Sequence, residues 1–489
     1  MTLLLIAPML ASLCAAIVTL ALGWRRITAA TSVLAALTIL GCGIALGFRV
    51  GSAPHVLAAG LLRADALSVV MLIVIGAVGT LSTIAGIGYI ETELDHGHTD
   101  PAGARLYGTL TPTFLAAMVL AVSANNIGVI WVAIEATTVI TAFLVGHRRT
   151  RTALEATWKY VIICSVGIAM AFLGTILLYY AAQHVSQDPG HALDLDVLTA
   201  IASRLDGGVT RLAGGLLLIG YGAKVGLVPF HTWLADAHSQ SPAPVAALES
   251  GVLLAVAFSV LLRIKPIIDA AVGTGFLRWG LLIVGLATVG VAAMLLTVTR
   301  DLKRMLAYSS MENMGLIAIA AAAGTKLAIA ALLLHVVAHG LGKTVLFLTS
   351  GLLEAAHNST AIADITGVVV RSRLTGGCFA IGVMVLLGLP PFAMFASELS
   401  ISRALADARL AWALGIVLLL IVIAFAAVVR NSVSILLGEP LPGSPAIPVP
   451  ATIAVALLVG VAASFALGVT AGPLAALLRS AAAQLGLPQ

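Results

Sequence analysis

The sequence predicts an all-α, polytopic membrane protein of about 14 transmembrane helices, on three observations. Apolar residues fill 60% of its 489 positions and only 10% are charged, where a soluble domain carries roughly a quarter. Mean hydropathy is +1.10. Apolar stretches of about 20 residues, each long enough to cross roughly 30 Å of hydrocarbon, recur along the whole chain. Two of them carry the same interruption: Gly226-Leu227-Val228-Pro229-Phe230 and Gly388-Leu389-Pro390-Pro391-Phe392. Pro229, Pro390 and Pro391 must each break a helical hydrogen-bond ladder. Interrupted apolar segments at matching places in two halves point to a transport site.

Taken in order, segment 3–23 lacks a basic run before it and is followed by Trp24-Arg25-Arg26, so it reads as an uncleaved span. Spans 28–48 and 66–90 come next, then 108–124, 127–146, 159–181, 211–230 and 242–264. A further set runs 277–298, 305–323, 327–352, 376–397 and 408–430, and 449–471 closes the series. Polar interruptions at 91–107 and 182–210 are short enough to be connecting loops. The net charge of +5 suits a positive-inside membrane protein better than a nucleic-acid binder. The side holding Arg148, Arg149, Arg151, Arg300, Lys303 and Arg304 is slightly the more basic, which places both termini on the outer side. Cys14, Cys42, Cys164 and Cys378 stand singly in apolar segments, without the spacing that zinc, iron–sulfur or haem requires. They are expected to be buried structural thiols, with no cofactor on this chain and any redox chemistry on another.

The informative residues are charged groups inside apolar segments, each costing about 2.5–3.5 kcal/mol or more at a helix centre. They are Glu135, Lys224, Glu249, Glu312, His335, His339, Lys343 and Glu398. His335, His339 and Lys343 are spaced i, i+4, i+8, which stacks them on one helix face about 6 Å apart. Such a column is a ladder of proton donors and acceptors, since histidine titrates near neutrality. The rival readings are a metal site, which two histidines at i, i+4 could begin, and two packed core histidines. Lys224 and Glu135 suit a switch in which the state of the glutamate sets that of the lysine.

The run from Lys224 through His231 and Asp236 to His238, continuing from Ser241 to Leu248, resembles the antiporter-like subunits of respiratory complex I. The same subunits occur in multisubunit Na+/H+ antiporters and membrane-bound nickel–iron hydrogenases. The stretches Asp301–Ser310, His335–Lys343 and Gly388–Glu398 agree with that resemblance. Met311–Gly315 and the proline pair before Glu398 look most like the F component of the hydrogenase-4 or formate-hydrogenlyase branch. The resemblance implies two inverted repeats of five helices, with broken helices 7 and 12. Residues 1–107 would then hold helices 1–3, 108–264 the first repeat, 277–430 the second, and 449–489 helix 14 and the tail. It also implies that Glu135 and Lys224 start a proton relay through His335, His339 and Lys343 to an outlet at Glu398.

One departure matters. Many members carry a histidine in the eighth helix where this chain has Ser250, with Glu249 beside it, so the link from Lys224 to the central histidines falls to Glu249 or to water. Glu312 is either an extra rung or a hydrogen-bonded acid packed against a neighbour. Asp236 takes the place of Glu398 in the repeat, while Leu386 stands where Lys224 does. His231, Asp236 and His238 divide evenly between cap or loop roles and proton uptake. Glu91, Glu93 and Asp95 read as a solvated face, and Arg148, Arg149, Arg151, Lys303 and Arg304 as topology anchors, Lys303 with an accessory place near the path. The long lateral helix of the most distal complex I member is lacking after the fourteenth segment, so clamping of neighbours is not expected.

The function expected is a proton-translocating subunit of a redox-driven complex in a prokaryotic cytoplasmic (inner) membrane. Its partners would be other membrane subunits and the lipid bilayer, with no nucleic acid. A secondary Na+/H+ antiporter and a non-transporting scaffold for a hydrogenase or dehydrogenase are the alternatives.

Overall fold

The computed structural model describes residues 1–51, 53–440, 443–470 and 472–485, so positions 471 and 486–489 of the expected C-terminal unit lie outside it. Among these residues twenty α-helices follow one another. They are α1 (Thr2–Leu22), α2 (Arg26–Gly47), α3 (Ala66–Asp95), α4 (Pro101–Ser123), α5 (Ile127–Val145), α6 (Arg151–Gln183) and α7 (Leu195–Ile201). Then come α8 (Gly207–Val225), α9 (Thr232–Gln240), α10 (Ala243–Leu248), α11 (Leu254–Val272), α12 (Gly275–Val298), α13 (Leu302–Ala323) and α14 (Lys326–His357). The last are α15 (Val368–Arg371), α16 (Arg373–Leu386), α17 (Ala393–Asp407), α18 (Ala411–Leu437), α19 (Ala451–Val469) and α20 (Gly472–Gln484).

Eleven of the resulting rods are long and apolar enough to cross a membrane, counting α10 and α11 as one rod, Ala243–Val272. The other three expected segments hold α8, α13 and the pair α16–α17, which are broken or carry charge. Such helices are the ones that hydropathy alone scores poorly. Several helices outrun their apolar segments; α6 spans 33 residues because its polar ends project beyond the apolar stretch. One feature has no sequence forecast: a hairpin of β1 (His55–Leu57) and β2 (Leu62–Ala64), paired antiparallel.

The rods α3, α10–α11 and α14 are almost wholly enclosed by other helices, while α1, α2, α6, α18 and α19 lie at the periphery. Peripheral faces expose leucine, isoleucine, phenylalanine and valine, as at Leu3, Ile27, Phe172 and Val422. Hydrocarbon gives no hydrophobic drive between helices, so contact depends on close fit at small residues. A Cβ on Gly220 of α8 would lie 2.5 Å from the Ala171 backbone nitrogen of α6. One on Gly340 of α14 would lie 2.9 Å from the Gly251 carbonyl oxygen. The same logic corrects the cysteine expectation: Cys164 and Cys378 are buried, but Cys14 is exposed and Cys42 partly so. In a bilayer an apolar position need not be a core position.

Both broken helices are built alike. Gly226 (φ 82°) and Gly388 (φ 59°) turn the chain through the left-handed region, which glycine enters without steric cost. Leu227 N–H then donates to Gly222 O (2.9 Å) and Phe230 N–H to Leu227 O (3.0 Å). In the second copy Leu389 N–H donates to Met384 O (3.1 Å) and Phe392 N–H to Leu389 O (3.1 Å). The Val228–Pro229 and Pro390–Pro391 bonds are both cis.

Candidate functional site

Lys224 lies in the last turn of α8, wholly buried, where the break leaves the negative end of the helix dipole. Its Nζ donates to Thr138 Oγ1 on α5 (2.9 Å) and to Tyr160 OH on α6 (2.6 Å), and sits 4.8 Å from the centre of the tyrosine ring. The lysine uses the phenol oxygen as acceptor, so the Tyr160 O–H is free to donate to Thr141 Oγ1 (2.5 Å). Thr141 in turn donates to Thr137 O (2.7 Å). Glu135 stands one turn before Thr138, half-buried, with one carboxylate oxygen free of protein partners. Glu135 and Glu249 are the carboxylates whose charge acts on Lys224, yet neither forms an ion pair with it. Thr138 and Tyr160 are the direct partners, and sequence reasoning missed both.

The α14 column forms as expected. The His335 and His339 rings stack nearly parallel, 6.5 Å between centres, and both are buried with Lys343. His335 is held at both nitrogens, by Asn313 Oδ1 on α13 (2.7 Å) and Ser397 Oγ on α17 (3.0 Å). Lys343 donates to Leu306 O (2.7 Å) and to Ser309 Oγ on α13. Glu312 is the carboxylate whose charge acts on Lys343. Glu312 and Glu398 line one cavity of about 30 Å3 with Ser309 and Asn313, enough for a water. The Glu398 carboxyl folds back onto its own break, with its Cδ 2.9 Å from where a Gly388 Cβ would be.

Between the two lysines the rod α10–α11 contains a π-helical turn, Glu249–Leu253, a distortion that often marks functional sites. Glu249 accepts from Ser241 Oγ (2.8 Å) through one oxygen, and the other has no protein partner. Ser250 is closed off in a pair with Ser310 (2.6 Å).

Beside this junction, two sequence expectations are corrected. Glu93 is not part of a solvated face, and Lys303 is more than a topology anchor, because both are buried. Arg148 bonds Glu93 through Nε (2.9 Å) and Nη2 (2.8 Å) and Glu354 through Nη1. Lys303 Nζ lies 2.9 Å from Glu354 and donates to the carbonyls of Ser239 (3.1 Å) and Ser241 (2.9 Å). Charges at the ends of apolar segments are usually hydrated, and only the distant partners bury these. A second buried pair outside the forecast joins Arg263 to Asp65 (2.6 Å).

Asp236 does not mimic Glu398. It turns outward to Lys159 (3.0 Å) and Arg304, while Leu234 packs against Gly226 in its stead. His231 is half-buried, whereas His238 lies deep inside the bundle. Among the described residues no group of three His, Cys, Asp or Glu side chains could hold a metal ion.

Residues 124–424 match the family described as NADH:quinone oxidoreductase/Mrp antiporter, TM. A hydrogenase-4 component F homolog from Methylacidiphilum infernorum is 38% identical over 380 residues, covering 77% of this chain and 79% of the relative. The fold is shared with a chain of the membrane-bound sulfane sulfur reductase, an archaeal respiratory membrane complex (TM-score 0.88, 22% identity, 99% and 97% of the two chains). It is shared also with a chain of the Mrp complex from Dietzia sp. DQ12-45-1b (TM-score 0.85, 19% identity, 99% and 97%). This chain therefore belongs to the NADH:quinone oxidoreductase/Mrp antiporter family of multi-pass membrane subunits.

Proposed function

We propose that the chain is a proton-translocating membrane subunit of a redox-driven, hydrogenase-4-like or complex I-like assembly. One contrast carries this reading. Among the described residues, the buried cations Arg263, Lys265 and Lys303 all lie within ion-pair distance of carboxylates. Lys224 and Lys343 are buried as deeply but touch only hydroxyl and carbonyl oxygens. Removing a lysine from its counter-ion inside a membrane is costly, and it leaves a group that can hold or release its proton.

In this reading Lys224 passes a proton by Glu249 and water toward His335, His339 and Lys343, and Glu398 releases it. Glu135 draws Lys224 back to its protonated state. Glu312 is an added rung at the water-sized cavity before Glu398. Residues 108–264 and 277–430 form the two repeats, and the basic residues around Arg148 and Arg300 put both termini outside. Electron transfer on partner subunits would drive the cycle.

Pumping by inverted membrane vesicles, read from quenching of an acridine dye during electron input, tests the assignment. Lys224→Ala and Glu135→Gln should each lower it on the order of 10²-fold with the complex still assembled. Normal pumping by Lys224→Ala vesicles refutes the path. The Mrp-like fold favours one second reading, a cation/proton antiporter subunit without a redox partner. Exchange of Na+ for protons by the purified chain in liposomes would support that instead.

A further inference from the structure

A cavity of about 720 Å3 lies at the rim of the bundle, between α4, α5 and α6. Its walls include Leu106 of α4, Val139 and Phe143 of α5, and Leu154 and Trp158 of α6, all exposed on the outside of the bundle. From Leu154 to Ser165, both of which line it, α6 rises about 16 Å. Spread over that length, 720 Å3 is a slot of about 45 Å2 in section, roughly half of what a helix 10–12 Å across fills. A hydrocarbon chain fits such a slot, and a helix of another subunit does not. Thr138, which accepts from Lys224, stands at its inner wall.

One end of the slot is basic. The turn between α5 and α6 brings His147 and Arg149 to it, and the Arg149 charge acts on His147. Arg148 is already paired with Glu93 and Glu354. Arg149 is exposed, and among the described residues its guanidinium has no carboxylate partner. His147 is only 7% exposed. Its ring packs edge-on against Tyr107 (5.8 Å between centres), yet Nε2 has no protein partner. Buried nitrogens are normally bonded, so this one, at the wall of a cavity, points to a group that enters from outside the chain.

We infer that the slot binds one anionic phospholipid of the bilayer, with an acyl chain between α5 and α6 and the phosphate on the Arg149 guanidinium and the His147 Nε2–H. Apolar walls and a basic end match the two parts of such a lipid, and basic pockets between spanning helices suit anionic head groups. A zwitterionic head group would bring its own ammonium against Arg149. The acyl chain reaches the wall at Thr138, so hydrocarbon rather than water backs the Lys224 cage. The site rests on the cavity and its unpartnered groups, and it stands whether or not the proposed proton path does.

The test places the intact complex in phosphatidylcholine vesicles doped with phosphatidylglycerol that carries a photoactivatable diazirine in its acyl chain. Equally doped diazirine-phosphatidylcholine is the comparison, and mass spectrometry maps the cross-linked peptides. Phosphatidylglycerol should label the slot, at Phe143 and Trp158 above all, about fivefold more than phosphatidylcholine does, the factor that one cation near the membrane surface supplies. Arg149→Gln, an exposed change that spares the fold, should bring the two lipids close to equal. His147→Phe keeps a ring on Tyr107 and should lower the ratio too. Arg151→Gln, at the start of α6 but outside the slot, should leave the preference intact. Equal labelling in the unmodified complex, or a preference that survives Arg149→Gln or His147→Phe, overturns the inference. An equal loss in Arg151→Gln overturns it as well, because it marks general attraction to a basic surface. If neither lipid labels the slot in the complex while both label the purified chain, a neighbouring subunit covers it and no lipid site exists.

Discussion

The ion cluster beside the junction allows a sign to be predicted as well as a size. Glu93, Arg148, Glu354 and Lys303 contribute two negative and two positive charges, so the cluster is neutral. Glu354→Gln leaves an excess positive charge, and Lys303→Met an excess negative one. Breaking a buried pair from one side costs about 3–5 kcal/mol. Arg148 keeps 22% of its side chain exposed, so solvent relieves part of the excess and each substitution should cost about 3 kcal/mol. The double variant is neutral again, because Arg148 and Glu93 still pair. It should therefore cost far less than the sum of the two, with a coupling of about 2–3 kcal/mol.

Tryptophan fluorescence during unfolding of the purified protein by a denaturing detergent in mixed micelles would measure all three variants. Strict additivity, with a coupling below about 0.5 kcal/mol, would show that the four side chains do not act as one neutral unit. The cluster also bears on the proposed path, because Lys303 holds the Ser239 and Ser241 carbonyls and Ser241 donates to Glu249. A rearranged cluster should then misplace Glu249 and slow pumping in parallel with the loss of stability.

Two further predictions separate the halves. Gly388→Ala forces a side chain into the left-handed region, at about 1–2 kcal/mol, and drives its Cβ into the Glu398 carboxyl group; pumping should fall while Glu398 stays chemically intact, as vesicle assays can show. Asp236→Asn removes only partly exposed ion pairs, worth about 0–1 kcal/mol, so both stability and pumping should stay near wild type; a collapse of pumping would restore Asp236 to the path.

What was legible in the sequence was local. The glycine–proline breaks declare themselves, because the backbone conformation they impose is decided within five residues. The His335, His339 and Lys343 column was legible because helical spacing alone fixes which residues share a face. The cages around the lysines were not. Tyr160 and Thr138 reach Lys224 from helices 64 and 86 residues away in sequence, and hydroxyl residues in apolar helices usually bond back to their own turn, as Thr137 does. Nothing in their neighbourhoods sets Thr138 apart from Thr137. Asn313 and Ser397 escaped notice for the same reason, although each stands beside a glutamate that did not. Glu93 and Lys303 were misread because a charge at the end of a span is ordinarily hydrated, and burial there depends on Arg148 and Glu354 arriving from elsewhere.

The duplicated break is where local and non-local information diverge. Both copies share the left-handed glycine, the cis proline and the hydrogen bonds across the turn, so the backbone treats the halves as equal. The side chains do not. At the first break the acid, Asp236, leaves for surface cations, and Lys224 before the turn is buried among oxygens without a counter-ion. At the second the acid, Glu398, returns to the turn and faces Glu312 across a water-sized cavity, while Leu386 offers nothing to titrate. A break frees backbone carbonyls and makes room for water in either copy. In the proposed path, which titratable group occupies that room decides the direction of use: a base that can be loaded at Lys224, and an acid that can discharge at Glu398. A symmetric pair, with an unpaired lysine at both breaks or an acid at both, would carry the same backbone device and have no preferred end.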